Sequence, residues 1–167
     1  MAIEIKDHVD IDSLTHLTER QKQNVTIWKN VLNAMNANHF DERMDQYFHP
    51  EMTYHNPNRP DLNSYQSWKT SPMNLYKTFP PSHYRIKDAL AKGDDEIWVY
   101  CHHVGEQTGG PYMGVPPRGQ EISVEWFSIL KFKEGKIWRL FSIADVLNMF
   151  MAIGVIPDNL QPVDPYK

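Results

Sequence analysis

Residues Glu121 to Gly154 run EISVEWFSILKFKEGKIWRLFSIADVLNMFMAIG. Apolar, β-branched and aromatic residues dominate Glu121 to Lys133 and Ile137 to Ala144, and Glu134-Gly135 stands between them, a pattern that predicts two strands joined by a turn. Beyond Ala144 the spacing changes. Val146, Leu147, Phe150, Met151 and Ile153 recur at three and four residues and Gly154 follows, which predicts a helix closed by a C-terminal glycine. Asp145 stands at the switch and has two readings. A helix N-cap is one, because its side-chain oxygen can accept the free N–H groups of the first turn. A catalytic carboxylate at the mouth of a pocket is the other.

Working outward, a chain of 167 residues with 41% hydrophobic content predicts a single domain with a true core. We expect the domain to span residues 18–156, between an arm at 1–17 and a tail at 157–167. No apolar run approaches the ~20 residues of a membrane span, and MAIEIKDHVD lacks the basic region and apolar core of a signal peptide. A soluble cytoplasmic protein is therefore expected, and the single cysteine, Cys101, fits a reducing compartment as a buried strand residue. With a net charge of -4 and no dense Lys/Arg cluster, nucleic acid is excluded as an expected partner, as is a membrane.

The first dozen residues, with Asp7, Asp10 and Asp12, predict a mobile or loosely docked arm. Thr18 and Gln21 have capping-box spacing, and Val25, Trp28, Leu32 and Met35 then share one face of a helix to about Asn38. Asp41 can cap a short second helix that Pro50 stops. Glu51 to Asn56 predicts a short strand, Pro57 and Pro60 a loop, and Ser64 to Phe79 a helix with a restart at Ser71-Pro72. After Pro80-Pro81 the chain turns to strands at Tyr84 to Ala91 and Ile97 to Gln107, and a Gly- and Pro-rich connection precedes the hairpin. The order of elements predicts an α+β fold with N-terminal helices laid across a mostly antiparallel sheet.

Side chains alternate along a strand, so parity sorts candidates by face. On the face of Asp145 its own strand offers Ile137, Arg139, Phe141 and Ile143. A glycine bulge at the turn would add Ser123, Glu125, Phe127, Ile129 and Lys131 from the partner strand, and we favour it over a two-residue turn that would add Val124, Trp126 and Ser128. His102 and His103 diverge on the next strand, and His103 has the aliphatic parity of a core face. With diverging histidines and one cysteine no zinc ligand set converges, so no metal is expected. No glycine-serine elbow surrounds a nucleophile. Carboxylate acid/base chemistry is what the residues leave, with Asp145 and His103 as candidates.

Several segments resemble one family in order. FKEGKIWRLFSIADVLNMFMAIG resembles the end of the SnoaL-like polyketide cyclases, and YFHPEMTYHNP their helix-to-strand corner. AKGDDEIWVYCHHVGEQTGG resembles their turn and long strand, and YMGVPPRGQEI their loop; the likeness covers about residues 24 to 154. It implies a nuclear transport factor 2-like (cystatin-like) α+β fold with a strongly curved sheet and a cone-shaped pocket. It further implies a cofactor-independent aldol cyclisation of a polyketide-type ester with Asp145 as base and His103 and Glu125, like His55 and Asn56, orienting carbonyls or exchanging protons, or an isomerase or dehydratase using the same acid. A small-ligand-binding domain, in which Asp145 is only a cap, is the non-enzyme reading. By the same resemblance His55 lines the pocket, with Asn56, Tyr54, Trp68, Phe127 and Phe141 also binding a small hydrophobic or polyketide-like substrate. A homodimer is expected as well, since Trp98, Tyr100, Val104, Val124, Trp126, Leu130, Trp138 and Leu140 crowd the face opposite Asp145 and both faces need burial.

Overall fold

The structure, a computed structural model, describes residues 7–156. Its centre is the predicted hairpin: β4 (Glu121–Lys133) pairs antiparallel with β5 (Lys136–Ala144). Lys133 pairs with Lys136 and both turn residues have positive φ, 54° at Glu134 and 73° at Gly135, as a two-residue type I′ turn requires. The bulge is real but lies further along. Phe132 pairs with Ile137 and Lys131 with Arg139, so Trp138 is the extra residue. This corrects the expected bulge at the turn. Ile137 therefore faces the core with Phe132, while Arg139, Phe141 and Ile143 share the other face with Lys131, Ile129 and Phe127.

Three further strands complete the sheet. β3 (Glu96–Glu106) pairs antiparallel with β4, β2 (His83–Ala91) antiparallel with β3, and the edge strand β1 (Phe48–His55) parallel with β5, giving the order β1-β5-β4-β3-β2. Pro50 is tolerated within β1 because an edge strand has one unpaired side, and the β1 register slips between Phe48 and Thr53.

Helices cover one face only. α1 (Glu19–Asn36) starts on the predicted capping box of Thr18 with Gln21 and lies on β2 and β3. Its buried Val25, Trp28, Val31, Leu32 and Met35 meet Ile86, Ile97, Val99 and Cys101 of the sheet. Burying each large apolar side chain of this kind contributes about 1.5–3 kcal/mol. Asn36 fixes the register of helix on sheet by accepting from the Tyr84 N–H at 2.7 Å and donating to the Tyr84 carbonyl at 2.9 Å. Asp41 caps the short α2 (Glu42–Asp45), and α3 (Tyr65–Thr78), capped by Ser64, packs on β1 through Trp68. Pro72 is buried inside α3 without the predicted restart.

Residues 7–17 are not a loose arm. Ile11, Leu14 and Leu17 are buried in the main core, around a single 3-10 turn at Ile11–Ser13, and the Val9 N–H donates to the Ile86 carbonyl at 2.9 Å. Three-residue apolar spacing explains the docking. The predicted tail lies outside the described residues. No helix among those described is long and apolar enough to cross a membrane.

Candidate active site

The helix-covered face of the sheet carries a line of polar groups among its apolar ones. His103 on β3 is buried, its ring stacked on Tyr84 of β2 with centroids 4.0 Å apart, and its Nε2 lies 3.1 Å from the Ser82 Oγ. Ser82 donates in turn to the Phe79 carbonyl at 2.9 Å. Burial lowers the His103 pKa to about 3, and the nearby His102 and His83 act in the same direction, so the imidazole is neutral. The Tyr84 hydroxyl is buried without a hydrogen-bond partner, and burial pushes its phenol up. Trp126 of β4 stands edge-on to Tyr84 at 5.9 Å.

A second polar group lies along β4, β5 and β1. The Ser128 and Ser142 hydroxyls are 2.7 Å apart and buried. Asn56 donates to the Tyr54 hydroxyl at 3.0 Å, and burial raises the Tyr54 pKa, with the neighbouring Asn56 and Ser142 side chains acting the other way. Trp68 meets Tyr54 edge-on at 6.4 Å. Burial pushes the Cys101 thiol up to about 12, which leaves it protonated and unsuited to nucleophilic attack.

At one end this face is closed by the segment after Asp145. α4 (Val146–Ile153) packs Met149 and Ile153 against Phe79, Ile122 and Val124. The loop after β3 brings Tyr112 to 5.8 Å from Phe79 and 6.4 Å from Phe150, and the Gln107 amide holds that loop through the Gly110 and Val115 carbonyls at 3.3 and 3.1 Å. Asp145 occupies the corner between β5 and α4. Its N–H donates to the Glu125 carbonyl at 3.0 Å, one carboxylate oxygen accepts from the Asn148 N–H at 3.2 Å, and the other accepts from the Asn148 side-chain amide. The carboxylate is exposed, and Ala144 beside it pairs across the sheet with Trp126.

The expected site residues divide between two faces. Tyr54, Trp68 and His103 lie beneath the helices, with Asn56 bonded to Tyr54 at their edge. Glu125, Phe127, Phe141 and His55 lie on the uncovered face, so the expectation of one pocket formed by all of them is corrected. The physical reason is strand pairing: Cys101 pairs with Trp126 and His102 with Glu125, so the core-facing residues of β3 carry odd numbers and those of β4 even ones. The same correction applies to the predicted apolar patch, because Val124, Trp126, Leu130 and Leu140 face the helices while Trp98 and Tyr100 do not.

On the uncovered face Glu125 accepts from Lys87 and from the Tyr100 hydroxyl, which together hold its carboxyl below its ordinary range. His102 lies 2.8 Å from the Ser123 hydroxyl and accepts from Arg85 at 3.3 Å. His55 stacks on Phe141 at 5.6 Å, and an open groove of about 350 Å³ runs beside them, lined by Thr53, Ile129, Lys131 and Arg139. Sequence reasoning missed Ser82, Tyr84, Ser128 and Ser142. Their signal was parity, since Ser128 and Ser142 each stand two residues from a core leucine, Leu130 and Leu140. Among the described residues no three His, Cys, Asp or Glu side chains are grouped to hold a metal.

Comparison with known proteins places this architecture. A sequence model described as SnoaL-like polyketide cyclase matches residues 22–153. No curated protein sequence matches the chain. AclR from Streptomyces galilaeus, inferred to be a hydroxylase, superposes with a TM-score of 0.72 at 18% identity, over 82% of this chain and 99% of its own. IdmH from Streptomyces antibioticus, inferred to be a polyketide cyclase, gives 0.70 at 20% identity over 79% and 99%. TsrD from Streptomyces laurentii gives 0.69 at 21% identity over 84% and 99%. At these identities the structural likeness shows a shared fold.

Proposed function

Because the chain belongs to the SnoaL-like polyketide cyclase family, we propose that it closes a ring in a polyketide-type ester by intramolecular aldol addition, without a cofactor. Family membership supports a cyclase- or isomerase-type enzyme acting on a small molecule, and the particular reaction is our reading. Asp145 takes an α-proton that a neighbouring carbonyl has made acidic. The resulting enolate carbon attacks a second carbonyl of the same molecule, one C–C bond forms, and the C=O π pair moves onto oxygen. That alkoxide recovers the proton from Asp145, so substrate and product have the same mass.

The observation that supports this most is the position of Asp145 at the strand-to-helix corner, one residue beyond Ala144, whose partner Trp126 faces the helices. Trp126, Tyr84, Trp68 and Tyr54 would form the wall. The neutral His103 would hold its hydrogen bonds without competing for the proton, and the Tyr84 hydroxyl and Asn56 could donate to carbonyl oxygens. A small-ligand-binding role, or an isomerase or dehydratase reaction, is the second reading. The ligand-binding role is favoured by the engagement of both Asp145 oxygens with Asn148, as a simple cap would have it. A cytoplasmic homodimer belongs to the same proposal.

Incubation with a panel of aromatic keto esters, followed by absorbance, mass spectrometry and NMR, separates these readings. Ring closure gives a product of unchanged mass and altered spectrum with a new C–C bond in its NMR spectrum, which an isomerisation of the same mass lacks. Loss of one water without a new ring would point to a dehydratase. Binding with no turnover would return the protein to the ligand-binding reading.

A further inference from the structure

β2 is an edge of the sheet, and a free edge strand presents N–H and C=O groups with which another strand can pair. Here those groups are taken. At Tyr84 both bond the Asn36 amide. At Ala89 the N–H donates to the Asp88 carboxylate at 2.8 Å, and the carbonyl lies 2.9 Å from the His16 Nε2. At Ile86, between them, the carbonyl accepts from the Val9 N–H at 2.9 Å and the N–H donates to the Nδ1 of His8 at 3.1 Å. An imidazole thus stands where a neighbouring strand would place a carbonyl. The opposite edge, β1, uses no titratable group there: Pro50 lacks an N–H, and the Tyr54 N–H donates to the Asn63 carbonyl at 3.1 Å.

The bond at Ile86 fixes the state of His8. A backbone N–H can only donate, so Nδ1 must carry a lone pair and, in a neutral ring, Nε2 must carry the proton. Nε2 lies 2.9 Å from the Asn33 Oδ1, an acceptor, which completes that tautomer. A second proton on the ring would go to Nδ1 and set two N–H groups against each other. His16 differs, because its Nε2 donates to a carbonyl and a protonated ring keeps that bond. The charges facing His8 are mixed in sign: Asp7 from its own segment, Lys29 from α1 and His83 from β2, which itself has Asp7 and Arg85 nearby. Burial is the largest influence and, with Lys29 and His83, holds the His8 pKa below 6.5, while the bond to Asn33 and the charge of Asp7 act the other way.

We infer that residues 7–10 are a strap that seals the β2 edge while His8 is neutral and comes away from Ile86 when His8 is protonated. The release is local. Ile11, Leu14 and Leu17 stay buried in the main core, so the strap opens only ahead of Ile11 and leaves Ile86 with a free N–H and C=O, the pair that an added strand requires. The latched form binds one proton fewer than the released form, whose histidine has the ordinary value of 6.5. The strap is therefore fully held above about pH 6.5, and its opening grows up to tenfold per pH unit as the pH falls toward the lower value of the latched ring. This switch is independent of the reaction proposed above.

Amide exchange of the full chain, followed by NMR from about pH 7.5 to about pH 5, reads the latch. Protection is taken relative to the unfolded chain, which removes the intrinsic pH dependence of exchange. Ile86 should be less protected than Cys101, its paired residue on β3, and its protection should fall up to tenfold per unit below about pH 6.5. His8→Asn, which offers Oδ1 in place of Nδ1 and does not titrate, should hold Ile86 protection level over the same range. The ring nitrogen shifts of His8 in the native protein should place its proton on Nε2 at neutral pH. A neutral His8 protonated on Nδ1 would overturn the strap. So would equal protection of Ile86 and Cys101 at every pH, or a His8→Asn variant whose Ile86 protection falls as steeply as in the native chain.

Discussion

The imidazole of His103 lies flat on the ring of Tyr84, 4.0 Å between centroids and 10° from parallel, and is buried in its neutral form. The fold therefore resists a proton that the unfolded chain accepts. With a folded pKa of about 3 against 6.5 for an ordinary histidine, the His103 contribution is fully present above pH 6.5 and is lost as the pH falls toward 3. His8, His83 and His102 are also shifted down by burial and add in the same direction. The carboxyls of Glu96 and Glu125, lowered from 4.5, act only further down. Urea unfolding between pH 6.5 and about 4.5 should show stability falling on acidification by up to about 1.4 kcal/mol per pH unit for each excluded proton. His103→Gln, which can still bond Ser82, should flatten that slope. An unchanged slope in the variant would assign the effect to the other histidines.

The Ser128 and Ser142 hydroxyls satisfy one another across β4 and β5. Ser128→Ala leaves a buried hydroxyl short of a partner, and a loss of about 1–3 kcal/mol is expected. The double variant Ser128→Ala/Ser142→Ala should cost less than the sum of the two single ones, because no orphan remains. Strict additivity in a double-mutant cycle would show that the pair is not coupled.

Gly109 is held against the end of α3, its N–H donating to the Thr78 carbonyl at 3.1 Å. A Cβ built there would fall 1.9 Å from the Lys77 carbonyl oxygen, an overlap with backbone that a side-chain rotation cannot relieve. Gly109→Ala should displace the loop that carries Tyr112. Hydrogen exchange should then rise across residues 107–120 and the melting temperature should fall, while α1 stays protected. A variant with unaltered exchange would show that α3 shifts to accommodate the methyl group.

Much of this fold could be read from the chain. Thr18 with Gln21 and Ser64 announced two helix starts, and the Glu134-Gly135 hairpin and the helix ending at Gly154 were legible from residue type and spacing. Parity was harder. The assignment of Arg139, Phe141 and Ile143 to one face with Phe127 and Ile129 was right, but through a bulge at Trp138 that nothing local to the turn announces. The candidate site was legible only in pieces. Which residues of β3 share a face with those of β4 depends on register across a long connection, which alternation within one strand does not fix, and Glu125 and His103 were joined for that reason. Ile11, Leu14 and Leu17 were overlooked because acidic neighbours hide a short apolar pattern.

The central claim is that Asp145 moves a proton as well as capping α4, and one pair of substitutions tests it most directly. Asparagine caps a helix about as well as aspartate but cannot take the proton, whereas alanine does neither. On a keto ester that the native protein cyclises, Asp145→Asn should keep the native melting temperature and lower turnover about 100-fold or more, the scale for loss of a positioned general base. Asp145→Ala should show the same catalytic loss and give up about 1 kcal/mol of stability besides. Full turnover by Asp145→Asn would contradict the account and leave Asp145 as a helix cap alone.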